Sequence, residues 1–561
     1  MTSGALTIVN FDQARHKLLT EQQMRDAEQR AIASGQVTGL SMMETAGRGV
    51  VDAMLQSCPQ FVGNGHNAIV LCGPGNNGGD GYVVARLLRQ LGWEVTVYHY
   101  GDTDKLPADA AQNARLWLRA NTVHPLSDLS AERLSGCDVV IDALFGTGLA
   151  RPLSGDVLAR LDLVANSAKT IIAVDMPSGV SANTGRIIRK MQAEPHAAPG
   201  QTFYSWPKVH HIVTFQRMKP GHLFFAESMS HDTQADTSAP TLTIVDLGIE
   251  TFEPSDETET DSSDDRVHEH QIYTGGIPAG LSKPNLAHKY QHGHALVFAG
   301  GVGHGGAGRL AARAALRLGA GAATLLCPPA ALPENAAQLN AIMLMPVATV
   351  ADLETVLGDT RKNALCLGPG MGRGETTRAL VRAALKCNRA IVLDADALTS
   401  FEDDPESLFA SLHEHAVLTP HGGEFARLFP DLIEAEGTTG RDDSTHALSQ
   451  IETVRRAAKI AGCCVLLKGA VTIIATPKGR VELSAALGQR QVPWLATAGA
   501  GDVLAGFITG LMARGFTPFA ASRAGAWLHV ECARNFGPGL IAEDLPDMLP
   551  RVLKQLEADT Q

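Results

Sequence analysis

Ala68-Ile-Val-Leu-Cys-Gly-Pro-Gly-Asn-Asn-Gly-Gly-Asp-Gly-Tyr82 decides how the first half of this chain folds. The apolar run at 68–72 is short, as a buried strand is, and it stops at a turn-forming pair. Residues 73–81 hold five glycines, two asparagines and an aspartate, which predicts a loop; 82–91 then predict a helix and 94–100 a second strand. Further short apolar runs at 138–144 and 170–174 also end in small, polar turns. A helical region over 20–56 precedes them, with Met24, Ala27 and Ala31 on one face. Buried strands alternating with helices predict a parallel, doubly wound sheet, whose ligands bind at the carboxyl ends of the strands.

The second half repeats this grammar. Candidate strands lie at 295–298, 324–327, 364–367, 391–393 and 464–467, with Ala/Leu-rich helices between them, as at 306–318. Residues 471–476 and 479–484 predict an edge hairpin. Leu495-Ala-Thr-Ala-Gly-Ala-Gly-Asp-Val-Leu-Ala-Gly506 then sets two glycines and an aspartate at the mouth of an amphipathic helix carrying Leu504, Ile508, Leu511 and Met512. A helix N-terminus attracts anions and glycines let the backbone approach them closely. Aspartate there suits a hydroxyl beside a phosphate better than the phosphate itself. A plain helix cap would need the same residue types. The expected fold class is α/β, with two doubly wound domains.

Between these halves, 253–270 is acidic and nearly free of apolar side chains, as a solvated linker is. The expected domains are 1–252 and 281–561, joined by an acidic linker over 253–280. With 561 residues, 45% apolar content and a net charge of −12, the chain can bury two large cores and offers no broad surface for nucleic acid or anionic membrane. Nine scattered cysteines without CxxC spacing indicate reduced thiols. Arg309, Arg313 and Arg317 interrupt the long apolar stretch, so no membrane span is expected, nor a signal peptide; the expected location is the cytoplasm. A homo-oligomer is expected.

The loop at 73–81 is neither a dinucleotide GxGxxG nor a P-loop, because no Lys-Ser/Thr follows. Asp142-Ala-Leu-Phe-Gly-Thr-Gly-Leu-Ala-Arg-Pro152 and Asp175-Met-Pro-Ser-Gly179 end two other strands with carboxylates, which are natural metal ligands or acid/base groups. Together the three motifs resemble the YjeF N-terminal family, the NAD(P)H-hydrate epimerases, over about 18–249. The resemblance implies that Asn77, Asp142 and Ser178 hold K⁺. It implies that Asn76, Asn77, Gly78, Gly79 and Asp80, Gly146, Thr147, Gly148, Leu149, Ala150, Arg151 and Pro152, and Asp175 contact the hydrated dinucleotide. Asp175 would be the acid/base for epimerisation. The segment 186–211, with Trp206, His210 and His211, departs from the family pattern, which returns at Thr214-Phe215 and Lys219-Pro220-Gly221. His210 and His211 read as incidental rather than as ligands.

In the second half, Gly368-Pro-Gly-Met-Gly372, Asp394-Ala-Asp-Ala-Leu398, Thr419-Pro-His-Gly-Gly-Glu424 and Lys468-Gly-Ala-Val-Thr472 each end a strand. With the loop at 300–308 and His288-Lys289, they resemble the YjeF C-terminal family of ribokinase-like, ADP- or ATP-dependent NAD(P)H-hydrate dehydratases, over about 283–553. The resemblance implies that Ala307, Gly370, His421 and Asp502 face the hydrated cofactor. Lys468, Gly469, Ala470, Val471 and Thr472, with Ala498, Gly499, Ala500 and Gly501, would hold the nucleotide with Mg²⁺. Gly422 stands where proline is usual and Ala500 where threonine is. Phosphorylating the hydroxyl converts hydroxide, a poor leaving group, into phosphate; Asp502 would take the hydroxyl proton. The implied function is bifunctional repair: epimerisation of R and S hydrates of NADH or NADPH, then dehydration of the S form. A small-molecule hydroxyl kinase with a non-catalytic N-terminal binding domain is the alternative, and a dinucleotide sensor a third.

Overall fold

The computed structural model describes residues 6–8, 15–167, 169–188, 206–230, 240–249, 272–283, 288–433 and 449–559. The chain forms two compact units, divided chiefly between Asp261 and Ser262. The acidic stretch at 253–270 lies outside the described residues, as does most of the irregular segment, 189–205.

In the N-terminal unit, strands β1 (Leu6–Ile8), β3 (Asn67–Cys72), β4 (Glu94–His99), β5 (Val123–Pro125), β6 (Val139–Ala143), β7 (Thr170–Val174), β8 (His211–Phe215) and β9 (Thr241–Val245) form one sheet; β2 (Arg15–Leu18) precedes the first helix. The sheet order is β1-β9-β8-β7-β6-β3-β4-β5, parallel except for β1 against β9. Order reverses at β3, so the expected switch point sits beside the Asn-rich turn. The register Leu71↔Asp142 and Asp142↔Ala173 sets the ends of β3, β6 and β7 level. The region 20–56 forms two helices, Glu21–Ala33 and Gly39–Ser57, and Met24, Ala27 and Ala31 are buried as expected.

One boundary is corrected. The helix after β3 begins at Asn76, not Tyr82, so most of the predicted loop is helix. Its glycines serve packing: a β-carbon on Gly79 would lie 2.6 Å from Met43 Sδ and 2.9 Å from Ala110 Cα, and one on Gly78 would lie 2.0 Å from the Gly73 carbonyl oxygen. Glycine's low helix propensity points to a loop, but close packing outweighs it here.

The C-terminal unit contains β10 (Ile272–Gly275), β11 (His294–Phe298), β12 (Ala322–Cys327), β13 (Met343–Pro346), β14 (Ala364–Leu367), β15 (Ala390–Leu393), β16 (Ala416–Leu418), β17 (Cys464–Leu467), β18 (Val471–Ala475) and β19 (Val481–Ala485). They lie in the order β13-β12-β11-β14-β15-β16-β17-β18-β19-β10. From β13 to β17 the strands are parallel, and β17, β18 and β19 are antiparallel neighbours. Two expectations change. The hairpin β18–β19 is not at an edge, because β10 pairs alongside β19. That strand falls inside the range 253–280 read as linker: Ile272 is buried on it, a signal too short to stand out beside the acidic run.

The helix Ala500–Ala513 is the core element, packed between the sheet and the helices Gly306–Arg317 and Pro518–Phe536. Every residue from Val503 to Ala513 is buried, so it is apolar all round rather than amphipathic. Gly506 and Gly510 explain the close approach: a β-carbon on them would stand 2.3 Å from the Ala311 carbonyl oxygen and 2.5 Å from that of Ala315.

Candidate active site

In the N-terminal unit the polar groups gather where β6, β7 and the helix Asn76–Gln90 meet. Asp175 follows β7 with φ of 65°, a left-handed conformation that a non-glycine residue adopts only under local constraint. Its carboxylate is well held: Oδ1 accepts from Lys219 Nζ and Thr214 Oγ1, both at 2.9 Å, and Oδ2 from the Thr147 amide at 3.2 Å. Burial alone would raise its pKa, but the Lys219 ammonium, with Thr214 and His222, brings it below the usual carboxylate value. The Lys219 side chain is 1% exposed and also donates to Thr214 Oγ1 and the Phe215 carbonyl. His222 is pushed down to about 4, first by burial and then by Lys219. The neutral ring fits its bonds: Nε2 donates to the Asp175 carbonyl at 2.7 Å and Nδ1 accepts the Lys219 amide at 3.0 Å.

A β-carbon at Gly146 would lie 3.0 Å from the Asn77 side-chain amide and 3.2 Å from Asp175 Oδ2, so any larger residue here would press on both side chains. In the amide orientation that satisfies both of its ends, Asn77 donates its Nδ2 to the Val174 carbonyl and accepts the Gly146 amide on Oδ1, each at 3.2 Å. Asp142 is fully buried at the end of β6; Oδ1 accepts from Ser178 Oγ at 2.6 Å and Oδ2 from the Ser178 amide at 2.8 Å. Burial pushes its pKa up to about 6, and among the described residues no cationic side chain pairs with it. Loop residues 147–152 are exposed or half-exposed, and Leu149 packs on the core. His210 Nδ1 accepts the Ile171 amide, and His211 Nε2 meets Thr243 Oγ1 at 2.9 Å, so both histidines serve the sheet.

In the C-terminal unit the ends of adjacent strands β11, β14, β15, β16 and β17 converge. Lys468, ending β17, pairs with Asp394, ending β15, at 2.8 Å. Burial would lower the Lys468 pKa, but Asp394, with Glu424 and Asp502, raises it. A β-carbon on Gly501 would lie 3.4 Å from Lys468 Nζ and 3.8 Å from Asp394 Oδ2, so the helix mouth stands directly against this pair. Asp502 is pushed up to about 7, mainly by burial, then by Asp394 and Asp396 against the pull of Lys468. Among the described residues nothing hydrogen-bonds its carboxyl. Gly499 takes φ of 89° as the helix N-cap; the Ala500 amide donates to the Thr497 carbonyl at 3.3 Å, and a helix N-terminus leaves its remaining first-turn amides without intrahelical partners.

Gly370, with φ of 67°, meets Ala307: a β-carbon on it would lie 3.5 Å from the Ala307 methyl. His421, exposed at the end of β16, caps the helix Gly422–Leu428, its Nδ1 accepting the Gly423 amide at 3.0 Å. In the 468–472 turn, Val471 is buried and the Thr472 hydroxyl donates to the Gly469 carbonyl at 3.0 Å. The Gly469 amide in turn donates to the Thr472 hydroxyl at 3.4 Å, so the turn uses both backbone groups of Gly469. Lys219, His222 and Asp394 carry no role in the sequence reading, although Lys219-Pro-Gly and Asp394-Ala-Asp are visible as motifs. Pairing partners 44 and 74 residues apart leave no local signal.

Residues 295–553 match the family described as NAD(P)H-hydrate dehydratase, and 39–221 match that described as YjeF-related protein N-terminus. A bifunctional NAD(P)H-hydrate repair enzyme from Moorella thermoacetica is 31% identical over 97% of this chain and 98% of its own length. The chain belongs to the bifunctional NAD(P)H-hydrate repair enzymes. The family member from Coxiella burnetii is 31% identical over 94% of this chain and 97% of its own length. An NAD(P)H-hydrate epimerase from Rhodobacter capsulatus is 44% identical over 37% of this chain and 91% of its own. An epimerase and a dehydratase therefore share this chain, one in each unit. No helix among the described residues is long and apolar enough to cross a membrane.

Proposed function

We propose that the N-terminal unit interconverts R and S hydrates of NADH or NADPH at Asp175, and that the C-terminal unit dehydrates the S form with Asp502 as base and ADP or ATP as phosphoryl donor. The observation that supports this most is Asp502 itself. It is a half-buried carboxyl at a helix mouth with no hydrogen bond among the described residues, its pKa pushed up to about 7 beside the Asp394–Lys468 pair. Structural carboxylates are normally bonded; one left bare and tuned to about 7 suits proton removal at neutral pH. The Gly499 and Gly501 amides would steady the transferring phosphoryl, and Lys468 the nucleotide, while Mg²⁺ bound with ADP or ATP would neutralise phosphate charge.

In the N-terminal unit Asp175 is kept ionised by Lys219, as a base must be. Asp142 supports a K⁺ site: it is a buried carboxylate without a cationic partner among the described residues, beside Ser178 Oγ and strand-end carbonyls, and a large monovalent cation suits such weak oxygen donors. Bound there with Asn77, K⁺ would fix negative substrate groups near Asp175.

Two isosteric variants test the division of labour. Asp502→Asn is expected to lose dehydration of the S hydrate while R and S still interconvert. Asp175→Asn is expected to stop interconversion above the spontaneous rate while the S hydrate is repaired normally. Loss of both activities in both variants would refute the two-site reading.

A further inference from the structure

The epimerase site holds a second carboxyl whose surroundings are the opposite of those of Asp175. Asp80 lies on the helix Asn76–Gln90, three residues after Asn77 and so on the same face, and Asn77 reaches the end of β7 where Asp175 stands. Asp80 is nine-tenths buried, and among the described residues nothing hydrogen-bonds its carboxyl. The titratable groups that face it are Asp175 after β7, Glu28 on the helix Glu21–Ala33, and the Cys72 thiol at the end of β3. None is a cation. The nearby ammonium of Lys219 is bonded to Asp175. A buried carboxyl among carboxylates, without a donor to it, keeps its proton. Accordingly burial first, and then Asp175 and Glu28, hold its pKa well above the usual value. One site thus contains a bonded carboxylate held below the usual range and a bare carboxyl pushed well above it, which is how a fold separates base from acid.

We propose that Asp80 is the general acid of the epimerase and Asp175 its general base. This rests on the site reading above. Hydrating an enamine double bond places the hydroxyl on the carbon next to the ring nitrogen. Asp80 would give its proton to that hydroxyl; the C–O bond breaks, the nitrogen lone pair moves in to form an iminium, and water departs. Water then adds to the other face, forming a new C–O bond, and Asp175 takes its proton. The oxygen is exchanged, one proton has passed from Asp80 to Asp175, and nothing is oxidised or reduced. The reverse inversion uses the two groups in exchanged roles.

Inversion of R hydrate by the full chain in H₂¹⁸O is therefore expected to bring in one solvent oxygen per turnover. The rate should fall on the alkaline side as Asp80 loses its proton. Asp80→Asn is close in size and removes a buried, uncompensated acid, so its unfolding midpoint should not drop. Its kcat for epimerisation should fall about a hundredfold, with KM within about threefold, and with the alkaline limb gone. Asp80→Glu should recover part of the rate. Inversion with retention of the original oxygen would overturn the proposal. So would an Asp80→Asn enzyme with normal kcat, or one altered only in KM. If Asp80→Asn is normal while Asp175→Asn is dead, the acid assignment alone fails. If both invert normally, the site reading itself has failed.

Discussion

Asp502 should cost this protein stability, and the size of that cost can be worked from its surroundings. Its pKa is pushed from 3.8 to about 7, chiefly by burial and then by Asp394. A tenfold change in proton affinity corresponds to about 1.4 kcal/mol, so a roughly thousandfold change sets an upper bound of about 4 kcal/mol. The carboxyl is only part-buried, and solvent screening reduces this to about 2 kcal/mol. The sign follows from proton counting. Between about pH 4 and 7 the unfolded chain has released this proton while the folded one keeps it, so wild-type stability falls as pH rises through that window. Above about 7 both states are ionised and the penalty is constant. Asp502→Asn removes it. In urea titrations of the C-terminal transition, the variant should match wild type near pH 4, gain steadily, and lead by about 2 kcal/mol at about pH 8. The same variant should lose dehydration about a hundredfold. A stability gap that is absent, or that narrows as pH rises, would refute the reasoning.

Asp394→Asn removes the charge that raises Asp502 and releases Lys468 to lower it. The acid limb of the dehydration pH profile should move down by about one pH unit, and an unmoved limb would show that Asp394 does not set the base. Gly422 opens the helix Gly422–Leu428 with free space around its α-carbon, after His421 in an extended conformation that precedes proline well. Gly422→Pro should therefore stabilise by about 0.5–1 kcal/mol in thermal unfolding. Asp142→Asn should abolish any dependence of epimerisation on K⁺ concentration, read by titrating KCl against a sodium background, and leave dehydration unchanged.

The central strands were legible where they are short, continuous apolar runs, and 170–174 and 464–467 appear in the structure with the same bounds, whereas β5, β8, β13 and β16, short or carrying polar residues, were not read as strands. What misled was glycine and burial. Glycines at 78, 79 and 81 looked like loop because their role, close approach to Met43, Ala110 and β3, is tertiary. The helix Ala500–Ala513 looked amphipathic because its small residues, Gly506 and Gly510 among them, carry little hydrophobic weight yet face other helices. Asp142, Asp175 and Asp502 were visible as carboxylates at strand or helix ends. Their chemistry was not, because it is set by Ser178, Lys219 and Asp394, which only the sheets bring near. Strand β10 was hidden beside the acidic run, four residues being too few to show a period.

The central claim is that one chain carries a hydrate through inversion and dehydration. Purified protein mixed with an equimolar R and S mixture of hydrated NADH, Mg²⁺, K⁺ and ADP or ATP should restore the absorbance of the reduced nicotinamide completely, consuming one nucleotide per hydrate. Recovery that stops near half would contradict an active epimerase in the N-terminal unit. Nucleotide consumption without any return of that absorbance would contradict the dehydratase and favour a hydroxyl kinase.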